Sequence, residues 1–287
     1  MKKIHAFLDL IKFEHTVFAL PFAYLGMLLA AGGWPGWGAF LWITVAMASA
    51  RTLAMGFNRI ADRFWDARNP RTNQRPLVTG AVSLRTAWTG TLIAGAVLVL
   101  AAWQLGPLPL QLLPGAILFL IGYSFTKRFT ALSHFVLGFT DGLAPAGAWV
   151  AVRGSLFTPA DLPAWLLLLI VTLWIGGFDL IYACQDLDFD RQHGLHSIPA
   201  RYGSAFALAL STACHVVMLA LLAGLGVWMG LSWPFWVAFV VVAGLLVWEH
   251  RLVKPDDLSH INLAFFNINS YIALALFAGV LGALYIQ

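Results

Sequence analysis

Residues 37–66 read WGAFLWITVAMASARTLAMGFNRIADRFWD, and the two ends of that stretch ask for different surroundings. From Trp37 to Phe57 the side chains are apolar or small apart from Arg51. Such a run is long enough for a helix to cross the hydrocarbon core of a bilayer, which takes about 20 residues. From Asn58 onward the pattern changes. Asn58, Asp62 and Asp66 recur every fourth residue, and on a helix such neighbours stand on one face, about 5–6 Å apart at Cβ. The stretch predicts a membrane span that ends in an acidic face. A second copy of the stride, Tyr182, Asp186 and Asp190, comes after another apolar run, with Asp179 a turn earlier and Asp188 on a different face.

Comparable apolar runs fill the rest of the chain, at Thr16–Ala31, Leu84–Trp103, Leu108–Phe125, Leu132–Val152, Pro163–Ala183, Ser204–Trp228, Trp233–Trp248 and Ala264–Ile286. The expected fold is all-α, a polytopic membrane protein of nine transmembrane helices forming one domain over residues 1–287. Composition agrees: 60% of the 287 residues are hydrophobic and 10% charged, with a mean hydropathy of +0.80, which excludes an ordinary soluble domain. The formal net charge is +4, but the basic residues lie between apolar runs and line no polar face, so nucleic acid is excluded as a partner and membrane lipid is implied. Cys184 and Cys214 have no short C-x-x-C spacing and are expected to be buried as small apolar groups. Lys2 and Lys3 begin the chain, but Asp9, Lys12 and Glu14 interrupt the next dozen residues, so no cleaved signal peptide is expected. Ile4, Leu8 and Ile11 suit a short interfacial helix instead. Trp34, Trp37, Trp103, Trp165, Trp228 and Trp233 fall near span ends, where indole rings prefer the interface.

The connections divide by charge. Those after spans one, three and seven carry none, and the one after span five has Arg153 and Asp161. Those after spans two, four, six and eight hold Arg59, Arg63, Arg68, Arg71, Arg75 and Arg85, then Lys127 and Arg128, then Arg191 and Arg201, then Arg251 and Lys254. The excess of Lys and Arg makes that face cytoplasmic. Both acidic clusters are then expected on the cytoplasmic side, at a central cavity open to it.

Like charges at this spacing destabilise a helix by about 0.2–0.5 kcal/mol, and a carboxylate within a bilayer costs about 2.5–3.5 kcal/mol on insertion scales. One such cluster reads as solvated loop charge. Two, each after an even-numbered span and each led by a polar residue, call for a compensating cation. Mg²⁺ takes oxygen ligands, using one or two carboxylates together with substrate phosphates. Asn58, Asp62, Asp66, Asp186 and Asp190 are therefore the candidate metal ligands, and Arg71, Arg75, Lys127 and Arg128 the candidate partners of a diphosphate. Pro70, Pro76 and Pro199 are read as helix stops. A cation- or proton-coupled secondary transporter is the reading of another class, although its sites usually lie at midplane.

These residues resemble the UbiA superfamily of intramembrane aromatic prenyltransferases. NRIADRFWDARNPRTNQRPL, from Asn58, is similar to its N-x-x-x-D-x-x-x-D motif and the R-T-x-x-R-P-L segment after it. DLIYACQDLDFDRQHGLHSIPARYG, from Asp179, resembles the second motif with its S-I-P and Gly, and YSFTKRFTALSHFVLGF, from Tyr123, resembles the Y-x-x-x-K-R region. The likeness covers essentially the whole chain. Many 4-hydroxybenzoate enzymes begin the first motif with Asn-Asp, whereas this chain has Asn58-Arg59. That form, with KFEHTVFALPFAY from Lys12, is also similar to the menaquinone-pathway branch that acts on a dihydroxynaphthoate. A haem- or chlorophyll-prenylating relative would share the diphosphate residues and differ in its acceptor.

The resemblance implies Mg²⁺-dependent transfer of a polyprenyl group from polyprenyl diphosphate to a ring carbon of a hydroxylated aromatic acid in quinone biosynthesis, with 4-hydroxybenzoate the expected acceptor and a dihydroxynaphthoate the alternative. Asp62, Asp66, Asp186 and Asp190 would hold the metal that stabilises the leaving diphosphate, assisted by Asn58, with Arg71, Arg75 and Lys127 adding charge. Tyr182 offers a ring face to the allylic cation. Either Asp186 or Asp190 is placed to orient the acceptor hydroxyl or take its proton, and either Arg51 or Arg128 to pair with its carboxylate. Asp141 is expected to face the cavity and Asn267 and Asn269 to bond between helices. His193 and His196 read as loop residues. Loss of Asp161, on the outer face, is expected to be nearly silent.

Overall fold

The computed structural model describes residues 2–286, the side chains of residues 2–4 and 13–19 excepted. The expectations on the side chains of Lys2, Lys3, Ile4, Glu14 and Thr16 accordingly lie outside what is described. Among those described, the secondary structure is helical, with a single isolated bridge between Lys254 and Asp257 and no strand. The helices are α1 (Lys2–Leu10), α2 (Phe13–Ala31), α3 (Trp37–Asp66), α4 (Leu84–Leu105), α5 (Pro107–Thr126), α6 (Ser133–Arg153), α7 (Leu162–Ala183), α8 (Leu187–His193), α9 (Ile198–Tyr202), α10 (Ser204–Trp228), α11 (Trp233–Leu252) and α12 (Asn269–Tyr285). Eight segments among the described residues are long and apolar enough to cross a membrane, with a shorter apolar helix at Leu20–Ala31. Side chains such as Val240 and Leu118, 68% and 69% exposed, face outward, as expected where lipid is the solvent. Trp37, Trp103, Trp228 and Trp233 are also exposed near helix ends, and both cysteines are free and buried.

The chain divides into two compact units. The first holds residues 1–20 and 36–125. In it α3 packs along α4, with Leu53 of α3 against Ala94 and Leu98 of α4 and Leu113 of α5. The expected end of this span at Phe57 is too early: α3 runs unbroken to Asp66. Its polar last third has an apolar side as well, where Ile60 packs with Leu10, Leu77, Val82 and Ala87. That packing explains why the acidic motif stays helical.

The second unit holds residues 21–35 and 126–287. Its core is built from Phe22, Trp149, Ile170, Trp174, Phe235 and Ile272, among others. Helices α6 and α7 approach closely because Gly138 and Gly142, one turn apart on α6, ride on the α7 backbone at the carbonyls of Thr172 and Leu168. This is the small-residue spacing that lets membrane helices touch backbone to backbone.

Three expectations need correction in this unit. Tyr182, Asp186 and Asp190 do not share one continuous α-helix, because α7 ends at Ala183 and a 3-10 turn, Cys184–Asp186, leads into α8. Pro199 does not stop a helix; it sits in the first turn of α9, where its missing N–H costs nothing. Asp161 is fully buried, not a loop charge. It accepts from Trp149 Nε1 at 3.0 Å, Ser155 Oγ at 2.8 Å, Thr158 Oγ1 at 2.7 Å and the Thr158 N–H at 3.0 Å. The last span also departs from a plain helix: residues Leu263–Ile268 form a π-helical turn before α12.

Candidate active site

In the first unit, α3 presents Asn58 and Asp62 on one face, as their stride predicts: Asn58 Nδ2 donates to Asp62 Oδ2 at 2.8 Å. The same amide reaches Ser124 Oγ of α5 at 3.4 Å. A turn further on, Asp66 is buried and paired with Arg75 Nη1 at 2.5 Å. The segment between them is folded back by its own hydrogen bonds. Asn69 Oδ1 accepts from the Arg71 N–H at 2.9 Å, a local Asx turn, and Thr72 Oγ1 donates to the Asp66 carbonyl at 3.1 Å. Arg71 is left exposed at the surface of this loop. Arg75, expected to face a diphosphate, spends its guanidinium on Asp66.

Arg59 is likewise not a connection charge. It is buried, and it donates to the Leu10 carbonyl at 3.4 Å and to Asn58 Oδ1 at 3.3 Å. The residue that departs from the Asn-Asp pattern thus ties α1 to α3 and steadies the Asn58 amide.

In the second unit the 3-10 turn buries Asp186, and α8 carries Asp190 into a fully buried position. Ser197 Oγ donates to Asp190 Oδ2 at 2.8 Å, and Lys127 Nζ lies 2.8 Å from the same oxygen. Asp190 Oδ1 is buried without a hydrogen-bond partner. Lys127 is itself located by its carbonyl, which accepts from the His196 N–H at 2.7 Å. Ser197 also accepts from the Ala200 N–H at 3.3 Å, as the N-cap of α9. Tyr182 stacks on Phe265, with ring centroids 4.0 Å apart. Arg128 and Asp188 are exposed, and Asp141 and Arg51 are half-buried. His193 ends α8, stacked on Phe189 and bonded to its carbonyl.

Several contributors carry no mark in the sequence pattern. His134 Nε2 accepts from the Ile198 N–H at 3.3 Å, which leaves its proton on Nδ1, donated to Asp179 Oδ2 at 2.7 Å. One buried imidazole thereby joins α7 to the turn that holds Asp190. Ser197 had a legible signal, a Ser two residues before Pro at a helix start, whereas nothing in the local pattern marks His134 or Ser124.

Among the described residues no three His, Cys, Asp or Glu side chains converge as a self-sufficient metal site. The donor set is one of carboxylate and amide oxygens, with one buried carboxylate oxygen unused. That suits a hard divalent ion whose remaining ligands are phosphate and water.

The family model described as the UbiA prenyltransferase family matches residues 19–271. A 4-hydroxybenzoate octaprenyltransferase of Methylobacillus flagellatus is 34% identical over 265 residues, covering 91% of this chain and 86% of that protein. One from Cupriavidus necator is 34% identical over 259 residues, covering 88% and 87%. Among solved structures, the apo structure of a UbiA homologue from Aeropyrum pernix superposes with a TM-score of 0.86 at 35% identity, over 93% of this chain and 97% of that one. A UbiA homologue from Archaeoglobus fulgidus, bound to DMAPP and Mg²⁺, shares the fold with a TM-score of 0.66 at 17% identity, over 94% and 98%. With two motifs in place and a match over nearly its whole length, the chain belongs to the UbiA prenyltransferase family.

Proposed function

We propose that this membrane protein transfers a polyprenyl group from its diphosphate to a ring carbon of 4-hydroxybenzoate, with Mg²⁺ as cofactor. The observation that carries the acceptor is the 34% identity to 4-hydroxybenzoate octaprenyltransferases along about nine-tenths of the chain. The Asn58-Arg59 departure favours a dihydroxynaphthoate only if Arg59 meets the acceptor, and its burial against Leu10 and Asn58 gives it a packing role instead.

Asp62, Asp66, Asp186 and Asp190 are, in this reading, the acids that hold the magnesium diphosphate. Mg²⁺, when bound, would neutralise charge on the leaving diphosphate. The chain's own groups do the rest. Asn58 orients Asp62 through its amide, Ser197 and Lys127 fix Asp190 and leave its Oδ1 as an unused acceptor, and exposed Arg71 and Arg128 attract diphosphate from solution. Tyr182 and the apolar surroundings keep water from the allylic carbon once its C–O bond breaks. The proposal includes nine spans with α2 as the first, and a site opening on the cytoplasmic side. The arginines and lysines in or beside the connections that follow α3, α5, α7 and α11 support that orientation.

The test is a reaction in detergent with radiolabelled geranyl diphosphate, Mg²⁺ and either 4-hydroxybenzoate or a dihydroxynaphthoate. Labelled product with the benzoate is expected, and product with the naphthoate alone would overturn the acceptor. Asp62→Ala and Asp186→Ala should each lower turnover by at least about a hundredfold, the scale of losing an electrostatic stabiliser at the reacting centre. Wild-type rates in either variant would remove the metal role.

A further inference from the structure

Glu249 has no part in the chemistry above, yet it is fully buried near the end of α11. Its Oε1 accepts from Asn269 Nδ2 at 3.2 Å. Its Oε2 has no hydrogen-bond partner and lies 3.8 Å from His215 Nδ1. A buried carboxylate is costly unless it holds something in place.

What it holds is Asn269. The same amide nitrogen donates to the carbonyls of Ala264 and Phe265, at 3.1 Å each. Both belong to the π-helical turn Leu263–Ile268. Single π turns inside helices recur at functional sites, and a polar side chain reaching into the backbone ladder is one way a helix is locally reshaped. One extra residue in a turn rotates the side chains before it by about 100° relative to those after it. The rings on this turn meet the second motif: Phe265 stacks on Tyr182 with centroids 4.0 Å apart and 28° between planes, and Phe266 meets the same ring edge-on at 6.2 Å. Phe178, one turn before Tyr182, closes on Phe265 at 5.1 Å.

We infer that Glu249 and Asn269 are positioning residues that pin the π-helical turn, so that Phe265 lies flat on Tyr182 and fixes the ring face which the second motif offers to the allylic carbon. This rests on the prenyl-transfer reading above. In that reaction the C–O bond breaks with its electron pair leaving on the diphosphate. The allylic carbon then bonds either to the aromatic ring, which loses a proton, or to water, giving a prenol and a proton. A wall of rings held in register attracts the cation and keeps water away. Releasing the turn therefore raises the share of carbon captured by water.

The experiment uses the full chain in detergent with radiolabelled geranyl diphosphate, Mg²⁺ and 4-hydroxybenzoate, and reads the ratio of prenol to prenylated product. Asn269→Leu keeps volume and removes the donor; Phe265→Leu removes the stacked ring and leaves the hydrogen bonds. Both are expected to raise the prenol share by about tenfold. Glu249→Leu should behave as they do, while Glu249→Gln, which keeps an acceptor for Asn269, should retain the wild-type share. If Asn269→Leu does not fold, Phe265→Leu and Glu249→Leu carry the same ratio. Variants that make less of everything at a wild-type ratio would show a merely structural role and overturn the inference, as would a Glu249→Gln enzyme as leaky as Glu249→Leu. A wild-type chain that consumes no geranyl diphosphate would overturn the transfer reading itself.

Discussion

Asp161 and Asp190 are both fully buried carboxylates, and their surroundings differ in how many of their oxygens have partners. Both oxygens of Asp161 are used: Oδ1 by Trp149 and Ser155, Oδ2 by the Thr158 hydroxyl and N–H. Asp190 crowds Ser197 and Lys127 onto Oδ2 and leaves Oδ1 bare. The first is a closed turn; the second keeps one unused acceptor oxygen, which the proposed metal role calls for. Asp161→Ala strands several donors, at about 1–3 kcal/mol for each buried group left unpaired. A clear fall in thermal midpoint is expected in detergent, while turnover per folded molecule stays near wild type. A variant as stable as wild type would show the turn to be dispensable. Lys127→Met leaves a buried carboxylate without its cation. Breaking a buried pair costs about 3–5 kcal/mol, and less here because Lys127 is a third exposed. Pairing it with Asp190→Asn should restore the midpoint and leave turnover lost, which melting curves and the label assay would separate.

At the scale of elements, the same four-residue stride gives two different structures. In α3 the stride is legible because Ile60 on the opposite side has an apolar cluster to join, so the helix runs through Asp66. In the second motif the backbone tightens at Cys184–Asp186, and Asp190 takes its place from Lys127 and Ser197, partners outside its own helix. Periodicity reports residues that share a helix, not a backbone whose course is set by remote hydrogen bonds. The proximity of α6 and α7 is an element property too. A Cβ at Gly142 would stand 2.6 Å from the Leu168 carbonyl oxygen, a backbone atom that cannot swing aside. Gly142→Val is expected to lower the thermal midpoint and the yield of folded protein. Gly147 on the same helix has open space around it, so Gly147→Ala should be neutral or slightly stabilising, by up to about 1 kcal/mol. Equal effects at the two glycines would mean that the close approach contributes nothing.

For the whole molecule, apolar run length located the long helices to within a few residues except at the polar end of α3, since a lipid solvent leaves helices little choice of length. It could not anticipate the π-helical turn or buried Glu249, whose reasons lie in Asn269 and its neighbours rather than in any local run. The candidate site residues stand out because like charges in an apolar chain need a partner. The structure adds that protein groups already supply much of it: Asn58 donates to Asp62, Arg75 pairs with Asp66, and Lys127 pairs with Asp190. These acids therefore have protein partners without a divalent ion, and in the proposed reaction the metal enters with the substrate. Chelation should stop turnover completely, with recovery on adding Mg²⁺, yet shift the thermal midpoint of the substrate-free protein little. Mg²⁺ and a prenyl diphosphate together should raise that midpoint, because a ligand bound only to the folded state stabilises it by mass action, about 2.7 kcal/mol at a hundredfold excess over Kd. A large loss of stability on chelation alone would instead make the ion structural, and the hydrogen bonds and ion pairs around the two motifs would then need a different account.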